Sequence, residues 1–204
     1  STVRVFEHIT PDVIVITNLF RDQLDRYGEV EMTVSLIKKA IDMADEPLLV
    51  LNGDDPVSSS LGANRNRTVY YGIGEKVLND EDGAKEGRFC SNCGQELSYN
   101  FIHYSQLGDY FCSKCGNKRP EIKYEAKNVD ISSGLEFSVG DERLSLNYRG
   151  FYNIYNILAV YAVIDSLGIE KSDFCKVLDN YKPQVGRMEE INLGKPVILN
   201  LAKN

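Results

Sequence analysis

Four cysteines carry the clearest chemistry in this sequence. Cys90 and Cys93 form one Cys-x2-Cys pair, Cys112 and Cys115 a second, and 18 residues separate the pairs. Two thiolates two residues apart can grip one metal ion from a tight turn, and two such turns complete a tetrahedron. The spacing falls in the range that reads as a zinc site. A glycine follows each pair, Gly94 and Gly116. A backbone that turns back just past the second thiolate needs positive φ, which glycine adopts without steric cost. Between the pairs, Glu96 to Tyr104 reads as a short aromatic strand and Gln106 to Asp109 as a turn. The prediction is a zinc ribbon. Four protein ligands leave no coordination position open, so the metal is structural rather than catalytic. Two disulfides are the competing use of these cysteines, and a reducing compartment argues against them. His103 sits mid-strand at no ligand spacing and reads as a bystander. Cys175 lies in a helical stretch and reads as a buried apolar thiol.

A second group of polar residues follows two apolar runs. Thr17 and Asn18 end the run Val13 to Ile16; Asn52, Gly53, Asp54 and Asp55 end the run Leu48 to Leu51. In open α/β sheets, ligands sit beyond the carboxyl ends of the strands. One strand end offers a hydroxyl and an amide and the other offers carboxylates, which suits a hydrated Mg²⁺ and a polyphosphate. The same Asn-Gly-Asp-Asp is equally readable as a turn and helix cap. No Gly-x4-Gly-Lys-[Ser/Thr] phosphate cradle occurs in the chain.

The elements that must hold these groups follow from periodicity. The continuous run Val13 to Ile16 predicts a strand buried on both faces, as in parallel sheets. Met32 to Ala44 has helical spacing, with Met32, Leu36, Ile37, Ala40, Ile41 and Ala44 on one face. Leu48 to Leu51 completes a βαβ unit, and Thr68 to Tyr71 adds a further strand. Residues 75–88 read as a polar linker into the ribbon. Ile122 to Glu125, Asn128 to Ile131, Leu135 to Val139 and Leu144 to Tyr148 read as an antiparallel meander, which is expected to protrude from the core with the ribbon. Two helices follow, Phe151 to Leu167 and Lys171 to Tyr181. The expected fold class is α/β, a parallel sheet with helices, plus the meander and the inserted four-cysteine ribbon.

With 204 residues, 43% of them apolar, the chain can bury a sizeable core. A net charge of −7 gives no general nucleic-acid footprint, although Lys114, Lys118, Arg119 and Lys123 form a local basic cluster. No apolar run is long enough to cross a bilayer, and no signal peptide is visible. The chain opens on Ser1 and stops just after the apolar strand pattern Pro196 to Leu201, so it is expected to be part of a longer protein.

Several segments together carry a family resemblance. Ile16 to Glu29, ITNLFRDQLDRYGE, resembles the motif that follows a central strand in the Mur ligases; Leu51 to Asp55 resembles their next strand end. Arg149 to Ala159 resembles their adenine-side helix, Gly186-Arg187-Met188 their arginine loop, and Asn200 to Asn204 the approach to their C-terminal domain. The Phe-Arg-Asp-Gln variant, together with the inserted ribbon, narrows the resemblance to the branch that works with a GatD-type glutaminase. The resemblance implies an ATP-dependent ligase of peptidoglycan synthesis, cytoplasmic and acting at the inner face of the membrane. ATP activates the α-carboxyl of D-glutamate in lipid II as an acyl phosphate, and ammonia from the glutaminase converts it to D-isoglutamine.

Carried over residue by residue, the resemblance gives Asn153, Asn156 and Arg187 to the nucleotide. Asn156 contacts adenine, because a carboxamide both donates and accepts; Arg187 reaches phosphate or ribose. The strand ends offer Thr17, Asn18 and Asp54 to magnesium and phosphate, and the resemblance adds Gln23 and Lys38. Gln23 stands where most Mur ligases place a metal-binding histidine, and Lys38 falls nearest their carbamylated lysine. No residue of this chain is assigned to catalysis. The implied layout is the later part of the central domain over 1–79, the ribbon over 80–123, the remainder of the central domain over 124–192, and the start of the C-terminal domain over 193–204. The phosphate loop and an acidic Mg²⁺ ligand are expected before residue 1. Two rivals stand beside this reading: another Mur-type or folylpolyglutamate-type ligase, and a zinc-ribbon binding module with no catalytic role.

Overall fold

The computed structural model describes residues 2–20, 30–78, 88–147, 150–181, 189–192 and 194–199. Its centre is a six-stranded sheet. β1 (Val13–Ile16), β2 (Leu48–Asn52) and β3 (Thr68–Ile73) run parallel to one another. β6 (Tyr124–Asp130) lies parallel beside β3, and β7 (Leu135–Val139) and β8 (Glu142–Leu146) continue antiparallel. The order across the sheet is β1-β2-β3-β6-β7-β8.

Alternation along β2 builds two cores. Leu49 and Leu51 point to one face, where they meet Ile41 of α2 (Val30–Met43) and Leu61, which follows the short α3 (Pro56–Ser60). Val50 points to the other face and joins the larger core with Tyr71, Ile73, Phe137, Ile154 and Leu158. That face is covered by α4 (Asn153–Ser166), against which α5 (Lys171–Asp179) packs through Phe174 and Leu178. Helices on both faces are what a parallel sheet requires, since each apolar face must be removed from water. A short α1 (Thr2–Phe6) lies against α2. A separate hairpin joins β9 (Glu189–Asn192) to β10 (Pro196–Leu199).

Four expectations need correction. The run Val13 to Ile16 is a parallel strand, but only Ile16 is buried and Val15 is exposed, because β1 is the edge strand among those described. The inward face of α2 runs through Val34, Ile37, Ala40 and Ile41; Met32 and Leu36 are exposed. Apolar residues occupy more than one stripe of this helix, so periodicity alone could not choose between them. The two stretches read between Ile122 and Ile131 are one strand, β6 (Tyr124–Asp130), with an irregular register between Lys127 and Asp130 and Asn128 at φ 54°. That irregularity resets the alternation and imitates two strands. The meander does not protrude, because β6 extends the parallel sheet and carries β7 and β8 with it.

The ribbon therefore sits inside the crossover between two neighbouring parallel strands, β3 and β6. Such a connection must be a dozen or more residues long whatever fills it. Its hairpin is β4 (Ser98–Tyr104) and β5 (Leu107–Phe111), joined at Ser105 and Gln106, slightly earlier than the expected turn.

Candidate functional site

The four cysteine sulfurs lie within 4.8 Å of one another, and among the described residues they are the one such metal-capable cluster. Cys90 Sγ is 3.5 Å from Cys115 Sγ, and Cys93 Sγ is 3.5 Å from Cys112 Sγ. A disulfide needs about 2.05 Å. A tetrahedron of Zn–S bonds near 2.3 Å places sulfurs about 3.8 Å apart. The donor set thus fits zinc. Each turn closes on its glycine: Gly94 N–H donates to Cys90 O at 2.8 Å and Gly116 N–H to Cys112 O at 3.0 Å, with φ of 70° and 75°. Backbone N–H groups of Cys115 and Lys114 lower the pKa of Cys112. Burial pushes Cys90 up, but the N–H groups of Asn92 and Cys93 outweigh it and hold the thiol at about 6. These turns favour the thiolate, the form that binds metal, at Cys90 and Cys112; at Cys115 the Asn117 N–H lowers the pKa, but burial and the Cys90, Cys112 and Cys93 sulfurs push it up to about 12.

The other end of the ribbon is fastened to the strand ends of the sheet. Leu107 is fully buried in the main core. Gln106, also fully buried, donates from Nε2 to Leu19 O at 3.0 Å and to Asp55 Oδ1 at 3.3 Å. Gly108 N–H donates to Asp54 O at 3.0 Å, and Tyr110 Oη lies 2.5 Å from Ser59 Oγ. Arg119, just past the second knuckle, donates from Nε to Asp54 Oδ1 at 2.7 Å and from Nη2 to Ile73 O at 2.9 Å. The ribbon is a lid on Thr17–Phe20 and Asn52–Asp55, not a projection.

This placement decides what the two aspartates do. Asp55 caps α3: Oδ1 accepts from Val57 N–H, and Oδ2 accepts from Leu19 N–H at 2.9 Å and from Ser58 Oγ at 2.5 Å. Asp54 is fully buried, and its second oxygen accepts from Ile73 N–H at 2.9 Å and Tyr155 Oη at 2.8 Å. Burial raises the Asp54 pKa, and the Arg119 guanidinium, the Ile73 N–H and the Tyr155 hydroxyl oppose the rise. A Cβ on Gly72 would collide with Asp54 Oδ1 and lie 2.8 Å from Arg119 Nη2, so a glycine makes room for the ion pair. Asn52 Oδ1 accepts from Asp54 N–H at 3.0 Å, which shapes the turn.

The remaining candidates fall in three places. Thr17 and Asn18 are half-buried in the loop that Gln106 holds. Asn153 opens α4 and is buried, whereas Asn156 is exposed one turn later; Asn156 Nδ2 donates to Asn153 Oδ1 at 3.2 Å. Asn153 Nδ2 has no hydrogen-bond partner among the described residues. Lys38 is exposed on α2 and lines an open cleft of about 830 Å³ between α2, α3 and the ribbon, beside Val34, Val57, Ser59 and Asn117. Asp54 is not among the residues that line this cleft. Gln23 and Arg187 lie outside the described residues. Cys175 is half-buried against the core.

Four buried or half-buried polar side chains were given no role from the sequence: Gln106, Arg119, Tyr155 and His103. Arg119 looked like part of a basic surface cluster, and the structure turns it inward, half-buried, onto the buried Asp54 instead. The one available signal was its position four residues past the second cysteine pair. His103 was read as a bystander, yet it is fully buried against Phe101, Phe151 and Tyr155, with neither ring nitrogen hydrogen-bonded among the described residues. Burial, helped by Arg119, lowers its pKa to about 4 from 6.5. The unfolded chain binds more protons between those values, so stability is full above the unfolded pKa and falls as pH drops toward the folded one. His103→Phe is expected to remove about 2 kcal/mol of the stability lost between roughly pH 7 and pH 5. Urea unfolding at the two pH values checks this, and an unchanged difference would show that the imidazole is not its source.

A three-layer α/β domain with polar strand ends, a helix that opens on Asn153 and Asn156, and a four-cysteine ribbon in one crossover defines the class. The chain belongs to the Mur ligase family, a family of ligases: the description "Mur ligase middle domain" matches residues 2–164. Among named proteins it is 38% identical over 206 residues to the lipid II isoglutaminyl synthase (glutamine-hydrolyzing) subunit MurT of Staphylococcus aureus, an alignment that covers all of this chain and 47% of that one. The corresponding subunit of Streptococcus pneumoniae is 34% identical over 211 residues, covering all of this chain and 46% of the relative. Among solved structures, a pseudomurein peptide ligase type C from Methanothermus fervidus superposes with a TM-score of 0.84 at 33% identity, over 99% of this chain and 40% of that one. The chain thus spans about half the length of the curated relatives it matches. No helix among the described residues is long and apolar enough to cross a membrane.

Proposed function

We propose that this chain is the ATP-binding middle domain of a subunit that amidates lipid II. The full protein would convert the D-glutamate α-carboxyl of the stem peptide to D-isoglutamine, with ammonia from a GatD-type glutaminase, at the inner face of the cytoplasmic membrane. One observation carries the reading: likeness along the whole of this chain to 47% of the Staphylococcus aureus subunit, in a Mur ligase middle domain whose crossover holds a four-cysteine ribbon. The proposed layout keeps residues 1–79 and 124–192 as middle domain, 80–123 as ribbon and 193–204 as the start of the next domain.

The residues fit a nucleotide at the first turn of α4. Asn153 Nδ2 is a buried donor without a partner among the described residues, and an unmet buried donor costs about 1–3 kcal/mol unless something accepts from it. The Asn156 carboxamide, exposed beside it, offers both a donor and an acceptor to the edge of an adenine. Arg187 would supply charge to phosphate or ribose. ATP would supply the phosphoryl group that turns the carboxylate into an acyl phosphate. This chain's part is to hold the base, with Thr17, Asn18 and Gln23 toward Mg²⁺. Asp54 and Lys38 have a weaker claim, since Asp54 is enclosed by protein donors and Lys38 faces the α2 cleft.

In the full-length protein with its glutaminase, Asn156→Ala and Arg187→Ala are each expected to slow lipid II amidation roughly ten- to hundredfold, as loss of a hydrogen bond to a charged or buried ligand group does. Arg187→Ala should be the worse, since it faces charge. Glutamine hydrolysis by the partner should persist, and free ammonia should rescue neither variant, because carboxyl activation has failed. Amidation at the wild-type rate in both variants would remove the nucleotide from these residues.

A further inference from the structure

The ribbon is tied to α4 by an unbroken chain of polar contacts that runs from the half-buried Arg119 through the fully buried Asp54 and Tyr155. Arg119 N–H donates to Tyr110 O at 2.9 Å, which fixes its backbone on β5 beside the second knuckle. Its guanidinium holds one oxygen of Asp54, and Tyr155 Oη holds the other. Tyr155 lies between Asn153 and Asn156 on α4 and is itself buried. Apolar packing of Ile154 and Leu158 keeps α4 on the sheet but, being non-directional, leaves its rotation less closely set. A hydrogen bond of 2.8 Å with angular demands sets it more closely. The Tyr155 hydroxyl therefore fixes how far the first turn of α4 is rotated, and with it which way Asn153 and Asn156 face.

We propose that Arg119 and Tyr155 are positioning residues for the nucleotide: the metal-held knuckle sets, through Asp54, the orientation of the turn that presents Asn153 and Asn156. This rests on the nucleotide reading given above. Neither residue needs to touch the ligand. The ribbon's place in the β3–β6 crossover gives it direct access to the carboxyl end of β2, where Asp54 lies, and this links metal occupancy to nucleotide affinity.

The test uses the full-length protein with its glutaminase. Equilibrium binding of a non-hydrolysable ATP analogue with Mg²⁺, and KM and kcat for ATP, are measured for wild type, Tyr155→Phe, Arg119→Lys, Arg119→Met and Asn156→Ala, after elemental analysis confirms that zinc is retained. Tyr155→Phe is expected to weaken analogue binding and raise KM roughly two- to thirtyfold, the range for residues that act on a ligand without touching it, with kcat at saturating ATP near wild type. Arg119→Met should do at least as much, and Arg119→Lys should recover part of the loss by keeping a cation on Asp54. Where Arg119→Met fails to fold, Tyr155→Phe decides, since it deletes one oxygen and preserves the packing. If Tyr155→Phe lowers only the melting temperature and binds the analogue like wild type while Asn156→Ala binds it weakly, the inference is overturned and the nucleotide placement stands. If Asn156→Ala also binds like wild type, the placement falls and the inference with it.

Discussion

Cys112→Ser is expected to unfold the ribbon and loosen the strand ends beneath it, with loss of bound zinc. A unit this small folds mainly on its metal; structural zinc supplies about 10–16 kcal/mol in isolated finger peptides. A protruding ribbon would unfold alone. This one contributes Leu107 to the main core, Gln106 to the Thr17–Phe20 loop and to Asp55, and Gly108 N–H to Asp54. The damage should therefore reach the core, which a peripheral ribbon would leave intact. Hydrogen exchange at residues 107–111, and at Leu19 N–H, whose acceptor is Asp55, should accelerate together. Elemental analysis of protein purified without added metal should find one tightly held zinc per chain. A content near zero, or unchanged protection at both places in Cys112→Ser, would contradict this account of the ribbon.

Arg119→Met should rank next in effect. Asp54 is fully buried, and its cation comes from the ribbon. Removing one partner of a buried pair costs about 3–5 kcal/mol, because the remaining charge has no compensation. For a chain of this size that is roughly 6–20 °C in Tm. Adding Asp54→Asn should recover part of the loss, since the neutral side chain no longer buries a charge yet still accepts from one donor. The recovery separates electrostatics from packing: if the double variant melts no higher than Arg119→Met, the loss came from the missing side-chain volume. A single variant that melts with the wild type would mean that the pair contributes little.

Much of this was legible in the sequence because it is local. The spacing of Cys90, Cys93, Cys112 and Cys115 and the glycines behind them specify the knuckles within a few residues each. β1, β2 and β3 announce themselves as continuous apolar runs, and α4 is apolar on most sides because the sheet and α5 enclose it. What was not legible is long-range. Arg119 meets Asp54 across 65 positions, Gln106 meets Asp55 across 51 and Tyr155 meets Asp54 across 101. No periodicity records such pairs. An arginine beside lysines reads as surface, and a histidine in an aromatic strand reads as incidental, until the fold closes over them. The Asn-Gly-Asp-Asp segment carried both of its readings forward: Asp55 is the helix cap, and Asp54 is the buried partner of a residue that periodicity could not place.

The most direct test of the central claim is reconstitution of the full-length protein with the proposed glutaminase on lipid II, with ATP and glutamine labelled at the amide nitrogen, read by mass spectrometry of the stem peptide. The account predicts ATP-dependent appearance of labelled nitrogen as a carboxamide on the D-glutamate α-carboxyl, and none when ATP is withheld. Attachment of an amino acid to the stem instead, or amidation that proceeds equally without ATP, would contradict it.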